Sequence, residues 1–178
     1  MTRDWTQASL AELAAHIVAT HHDSCREQLA RLPAELAAAA ADGHHRDPLL
    51  LTLKGAFQRF SGALTSHLLK EETVLFPLIE RIEAAWRDGT PPPAPSFGSV
   101  ANPIRMMILE HGEAENVLGQ MRAVSSGFQA PDGAGPRVRQ LCHTLQAFDA
   151  DLALHVELED KILFPRAVAI EKEAADRG

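Results

Sequence analysis

Apolar residues along this chain recur three and four positions apart rather than every second one. In the first stretch Leu10, Leu13, Ile17, Leu29, Leu32 and Leu36 form a broken stripe of helical period. Ser9, with Glu12 three residues later, fits a capping box, so the stretch reads as a helix from about residue 9 to 40. Pro33 is predicted to bend or interrupt it. The run DGHHRDP, Asp42 to Pro48, reads as the turn that follows. A second helix is expected from about Pro48 to Trp86, ending at Asp88-Gly89. Thr90 to Ser99 (TPPPAPSFGS) is too polar and Pro-rich to continue it and reads as a crossover between two halves. Asn102-Pro103 is a plausible N-cap and N1 pair for a third helix running to about Ser125. After the loop SSGFQAPDGAGP, a fourth is expected from about Val138 to Lys172. No stretch shows the period of two that a strand requires. The expected fold is all-α: an up-and-down four-helix bundle of two pseudo-symmetric halves, one domain over 1–178, with the bundle at about 9–172.

Composition narrows the function. A chain of 178 residues is long enough to bury a core without staples. The formal net charge is -7 and no Lys/Arg block stands out, which argues against a nucleic-acid partner. No run approaches the length of an apolar membrane span, and the N-terminus lacks the apolar region of a signal peptide. Cys25 and Cys142 are far apart and suggest no disulfide framework, so a cytoplasmic, reducing location is expected. The oligomeric state is left open. There are 9 histidines, and histidine is the commonest metal-ligating side chain. There is no tyrosine, which excludes a tyrosyl radical or a phenolic acid.

The chemistry is carried by an internal repeat. HLLKEETVLFP begins at His67 and HVELEDKILFP at His155; both read HxxxExxxLFP, 88 residues apart. Residues i and i+4 share a helix face, so His67 with Glu71, and His155 with Glu159, each aim an imidazole and a carboxylate in one direction. That donor mixture suits iron, manganese or zinc. Leu75 and Leu163 continue the face and would shield it from water, whereas the LFP tails read as core residues followed by proline kinks. His22 and His111 sit at matching places in the preceding helices. Antiparallel packing is expected to bring His22 near His67 and His111 near His155. Six groups, His22, His67, Glu71, His111, His155 and Glu159, then meet in the bundle centre. Counting ligands suggests two ions: Glu71 and Glu159 bridge, the histidines divide two and two, and an oxo or hydroxo group completes the bridge. A single ion with four to six ligands is the alternative.

The other titratable residues rank lower. His16 lies six residues before His22 and should point away from it. His21 adjoins His22, and which of the two faces the core stays open. His44 and His45 belong to the turn; Glu115, four residues after His111, makes a third HxxxE pair. Any of His21, His44, His45 and Glu115 could join the site. His143 reads as structural, Glu72 and Asp160 as solvent-facing, and the two cysteines as inert. HExxH, the E-x-x-H of ferritin-like di-iron proteins, and the nucleotide-binding glycine motifs are all missing from the sequence.

With these residues in view, the chain resembles the hemerythrin-like cation-binding proteins, and among them the di-iron proteins for repair of iron centres. The resemblance runs from about Asp4 to Ala169. It rests on RDWTQASLAELAAHI, on HHxxxREQL from His21 to Leu29, on HLLKEETVLFPLIE, on NPIRMMILEHGEAE and on HVELEDKILFPRA. It implies the same six ligands and two iron ions. It also implies a part in nitrosative or oxidative stress, restoring damaged iron–sulfur clusters by donating iron or by binding nitric oxide. Iron–sulfur proteins would then be the clients. Other outcomes of the same site are a carrier or sensor of O2 or NO, and a di-iron reductase of NO or peroxide. Family members often carry a small N-terminal domain with paired cysteines; this sequence has no such pair. The residue before the first ligand, often aromatic in relatives, is His21 here.

Overall fold

A computed structural model describes residues 3–41 and 48–177. It is all-α: four long helical rods and no strand among the described residues. The first rod joins α1 (Leu10–Ile17) to α2 (Asp23–Ala39) through a π-helical turn at Val18–His22. The second joins α3 (Pro48–Lys70) to α4 (Phe76–Asp88) through a π turn at Glu71–Leu75. The third is α5 (Ala101–Val124). The fourth joins α6 (Pro136–Leu158) to α7 (Phe164–Asp176) through a π turn at Glu159–Leu163. The turn expected at Asp42 to Pro48, with His44 and His45, lies outside the described residues except for the start of α3 at Pro48.

Local chemistry explains the boundaries. The Ser9 hydroxyl accepts from the Glu12 amide at 3.1 Å, and the Glu12 carboxylate accepts from the Ser9 amide at 3.1 Å, closing the expected capping box. Gly89 ends α4 in a left-handed conformation, φ 67°, which costs glycine nothing sterically. Two expectations need correction. Asn102 is not an N-cap: α5 already begins at Ala101, whose amide donates to the Ser99 hydroxyl at 3.1 Å. Pro33 does not interrupt α2; buried Leu32 and Leu36 on either side of it pack the helix in place.

The π turns at the two LFP motifs replace the simple kinks expected there. Pro77 and Pro165 cannot donate an amide and their rings crowd the carbonyl four residues back. The helix answers by widening: the Phe76 amide donates to the Glu71 carbonyl, and the Phe164 amide to the Glu159 carbonyl, each five residues back. In both rods the widened turn starts at the glutamate of HxxxE.

Two compact units are distinguishable. The first comprises Met1–His22, His67–His111 and Leu154–Gly178; the second comprises Asp23–Ser66 and Gly112–Ala153. The first has an apolar core that includes Leu13, Ile17, Leu75, Phe76, Ile79, Met107, Leu163 and Phe164. Burial of such side chains stabilises it by about 25 cal/mol per Å2 of apolar surface removed from water. The repeat supplies a second device here. Glu83 accepts from the Leu10 and Ala11 amides at 2.7 and 3.0 Å, and Glu171 from the Val100 amide at 2.9 Å. Each carboxylate satisfies amides at a helix N-terminus that have no partner within the helix. The second unit is centred on aromatics, with Phe60 edge-on to Phe148 at 5.8 Å. No helix of the described residues is long and apolar enough to cross a membrane.

Candidate metal centre

All six residues singled out by spacing lie in the first unit, and the structure brings them together. His22, Glu71, Glu159 and His155 are fully buried, and His67 and His111 nearly so. The ligating atoms fall into two overlapping groups: His22, Glu71, His155 and Glu159, and His67, Glu71, His111 and Glu159. Both glutamates belong to both groups. Within each group the atoms lie within 4.8 Å of one another.

The expected histidine pairing is overturned. His22 pairs with His155, and His67 with His111; in each case the Nε2 atoms are 3.1 Å apart. Ligand spacing along single helices carries no information on which helices are neighbours; tertiary packing decides that. Two donors each about 2.1 Å from one ion and at right angles lie about 3 Å apart, so each pair has the separation of neighbours on one ion.

The carboxylates straddle the two pairs. Glu159 Oε1 lies 2.9 Å from His155 Nε2, and its Oε2 lies 3.2 Å from His111 Nε2. Glu71 Oε2 lies 3.3 Å from His67 Nε2 and 3.5 Å from His22 Nε2. Among the described residues neither Glu71 oxygen has a hydrogen-bond partner, nor has Glu159 Oε2. A buried carboxylate left this way costs several kcal/mol unless a cation meets it. The donor set therefore fits a metal: two carboxylates and four imidazoles converge, and three of the four carboxylate oxygens find no hydrogen-bond partner among the described residues.

Three carboxylates missed as site residues orient the rings. The His22 Nδ1–H donates to Glu72 at 2.7 Å, that of His111 to Asp160 at 2.9 Å, and that of His67 to Glu110 at 2.9 Å. Lys70 in turn donates to Glu110. Each bond fixes a proton on Nδ1 and makes Nε2 the nitrogen aimed inward, the one a metal would take. The expectation that Glu72 and Asp160 face solvent is thus wrong; both are half-buried. In the π turn each residue advances by a smaller angle than in an α-helix, so neighbours Glu71 and Glu72 both reach histidines. The acid after each repeat glutamate was the available signal. The LFP phenylalanines also do more than fill the core: Phe76 stacks on His22 at 5.6 Å and Phe164 on His111 at 6.0 Å.

Electrostatics follows from this crowding. Burial, then the neighbouring carboxylates with Glu159 foremost, raises the Glu71 carboxyl well above the usual range. Burial would raise Glu159 too, but the close imidazoles, His155 foremost and then His111 and His22, outweigh it and hold Glu159 well below that range. Burial pulls His67 down to about 4, although Glu110 opposes it. Burial acts the same way on His111, but the bond to Asp160 and the nearby Glu159 carboxylate win and push it up to about 9.

The remaining candidates lie elsewhere. His21 is buried with its ring parallel to that of His155 at 5.9 Å, outside both ligand groups. His16 stacks on Trp5 at 4.2 Å and pairs through Nδ1 with the Thr20 hydroxyl. Glu115 is exposed and accepts from Arg122. His143 is exposed; neither cysteine forms a disulfide. His44 and His45 lie outside the described residues.

Four helical rods carrying buried, mutually facing imidazoles and carboxylates define a helical metal-binding class. The chain belongs to the hemerythrin HHE cation-binding family, whose model matches residues 13–167, a span that runs through both units. Among its relatives is the iron-sulfur cluster repair protein YtfE of Cronobacter sakazakii, 35% identical over 97% of this chain and 72% of that protein. The probable iron-sulfur cluster repair protein of Haemophilus influenzae is 31% identical over 93% of this chain and 69% of its own length. The YtfE protein of Dickeya chrysanthemi is 33% identical over 93% and 69%.

Proposed function

We propose that this chain is one hemerythrin-like domain that holds two iron ions and serves in restoring iron–sulfur clusters damaged by nitric oxide or peroxide. His22 and His155 would hold one ion, His67 and His111 the other, with Glu71 and Glu159 shared. The observation that carries the reading is the buried pair of shared carboxylates, three of whose four oxygens have no hydrogen-bond partner among the described residues. The relatives' names support the repair role, since those proteins align with nearly the whole of this chain. Iron bound here supplies one-electron redox chemistry and a coordination position for a small diatomic molecule such as NO or O2.

The protein's own groups do the rest. Glu72, Asp160 and Glu110 hold three imidazoles in the tautomer and orientation that a metal needs. Phe76, Phe164, Leu75 and Leu163 keep water from the inner faces of the site and lower the local dielectric, which strengthens every interaction with the carboxylates. Iron–sulfur proteins would be the clients, receiving iron as cargo.

The test is to add the iron-loaded protein to an iron–sulfur enzyme inactivated by nitric oxide and follow recovery of its activity. Recovery that exceeds the effect of free ferrous iron at equal concentration is expected. Reversible O2 or NO binding without recovery would favour a carrier or sensor, and sustained turnover with an electron donor a reductase.

A further inference from the structure

The two ion positions share both glutamates, so what distinguishes them is the environment of the histidines. Three of the four imidazoles donate from Nδ1 to a carboxylate: His22 to Glu72, His111 to Asp160 and His67 to Glu110. His155 does not; its buried Nδ1 has no hydrogen-bond partner among the described residues. The repeat shows why. Glu110, which serves His67, stands one residue before His111, and the corresponding residue before His22 is His21. His21 meets His155 ring to ring, 5.9 Å apart and 8° from parallel, and not through a carboxylate. Behind it His16 stands edge-on to His21 at 5.8 Å and half-buried. Thus the His67 and His111 position has two charge-backed imidazoles, and the His22 and His155 position has one.

We propose that the two positions hold metal unequally, and that the ion at His22 and His155 is the exchangeable one, delivered first. The inference rests on the two-ion reading above. A carboxylate on the outer ring nitrogen makes imidazole a stronger donor and fixes its orientation, and losing such a partner costs about 10–100-fold in metal affinity. His155 lacks it from the outset. A repair protein that donates iron needs such a difference: one ion leaves while the other, with both glutamates, keeps the site assembled.

The experiment uses the full chain loaded anaerobically with ferrous iron, its metal content measured, and then challenged with excess bipyridyl. The expected result is two release phases of equal amplitude, separated by about 10–100-fold in rate. His21→Glu places a carboxylate where the other half has one, and should slow the fast phase towards the slow one. Glu110→His, the mirror change, should speed the slow phase, and it tests the idea even if His21→Glu does not fold. Two bound ions that leave in a single phase, or a fast phase unchanged by His21→Glu together with a slow phase unchanged by Glu110→His, would overturn the inference. Fewer than two ions before the challenge would instead overturn the two-ion reading, and the inference with it.

Discussion

The two compact units of this chain are built from the same kind of helix and both have apolar cores, but the first also buries a cluster of histidines and glutamates. The second unit places Phe57, Phe60 and Phe148 at its centre and leaves Glu115 outside, paired with Arg122, which also donates to Asp149 at 2.6 Å. Among the described residues the first buries five histidines and three glutamates, and two of those glutamates, Glu71 and Glu159, have too few internal partners. Both contain part of an HxxxE pattern, since His111 with Glu115 has the same spacing as His67 with Glu71. Spacing alone therefore does not make a site. Glu71 and Glu159 each begin a π turn followed by a proline, and each lies among the histidines of both ligand groups; Glu115 has neither feature.

That comparison can be broken in graded ways. Glu159→Ala should have the largest effect, because on the proposed two-ion reading it would remove a ligand from both positions. Metal analysis should find iron retention reduced at least 100-fold while far-ultraviolet circular dichroism stays helical; unchanged stoichiometry would remove the bridging assignment. Phe60→Ala strikes the other unit and should cost about 3–5 kcal/mol in denaturant unfolding, with unchanged iron per folded chain.

Acidity gives a smaller effect. In the metal-free protein His111 carries its proton to about pH 9, whereas His67, pulled down to about 4, is already neutral at pH 7. Metal needs the unprotonated nitrogen, so uptake at pH 7 should expel the His111 proton. The raised Glu71 carboxyl acts in the same direction. Apparent affinity should thus rise with pH, by about tenfold per unit between 7 and 9 for one proton. Uptake followed with a pH indicator in weak buffer checks this; no proton release would contradict the His111 assignment. Glu115→Gln should do least, shifting stability by no more than about 0.5 kcal/mol and leaving metal content unchanged on a calorimetric and metal assay.

Much of this was legible from residues alone. The four rods followed from helical periodicity and turn chemistry, and the six converging side chains from i,i+4 spacing repeated after 88 residues. What was not legible depended on long-range packing or on departure from ideal helix geometry. Pairing of His22 with His155 is set by which rods are neighbours, a fact with no local signature. Glu72 and Asp160 read as solvent-facing under α-helical geometry and reach histidines only because the helix widens there. Glu83 and Glu171 repeat as faithfully as the ligands, yet their partners are backbone amides far away in sequence.

The central claim is that two ions share Glu71 and Glu159, and the most direct test is metal analysis of protein isolated without added metal, with its optical spectrum. The account predicts about two irons per chain and the near-ultraviolet absorption of a bridged ferric pair. A single zinc ion, or no metal after anaerobic reconstitution with ferrous iron, would contradict it.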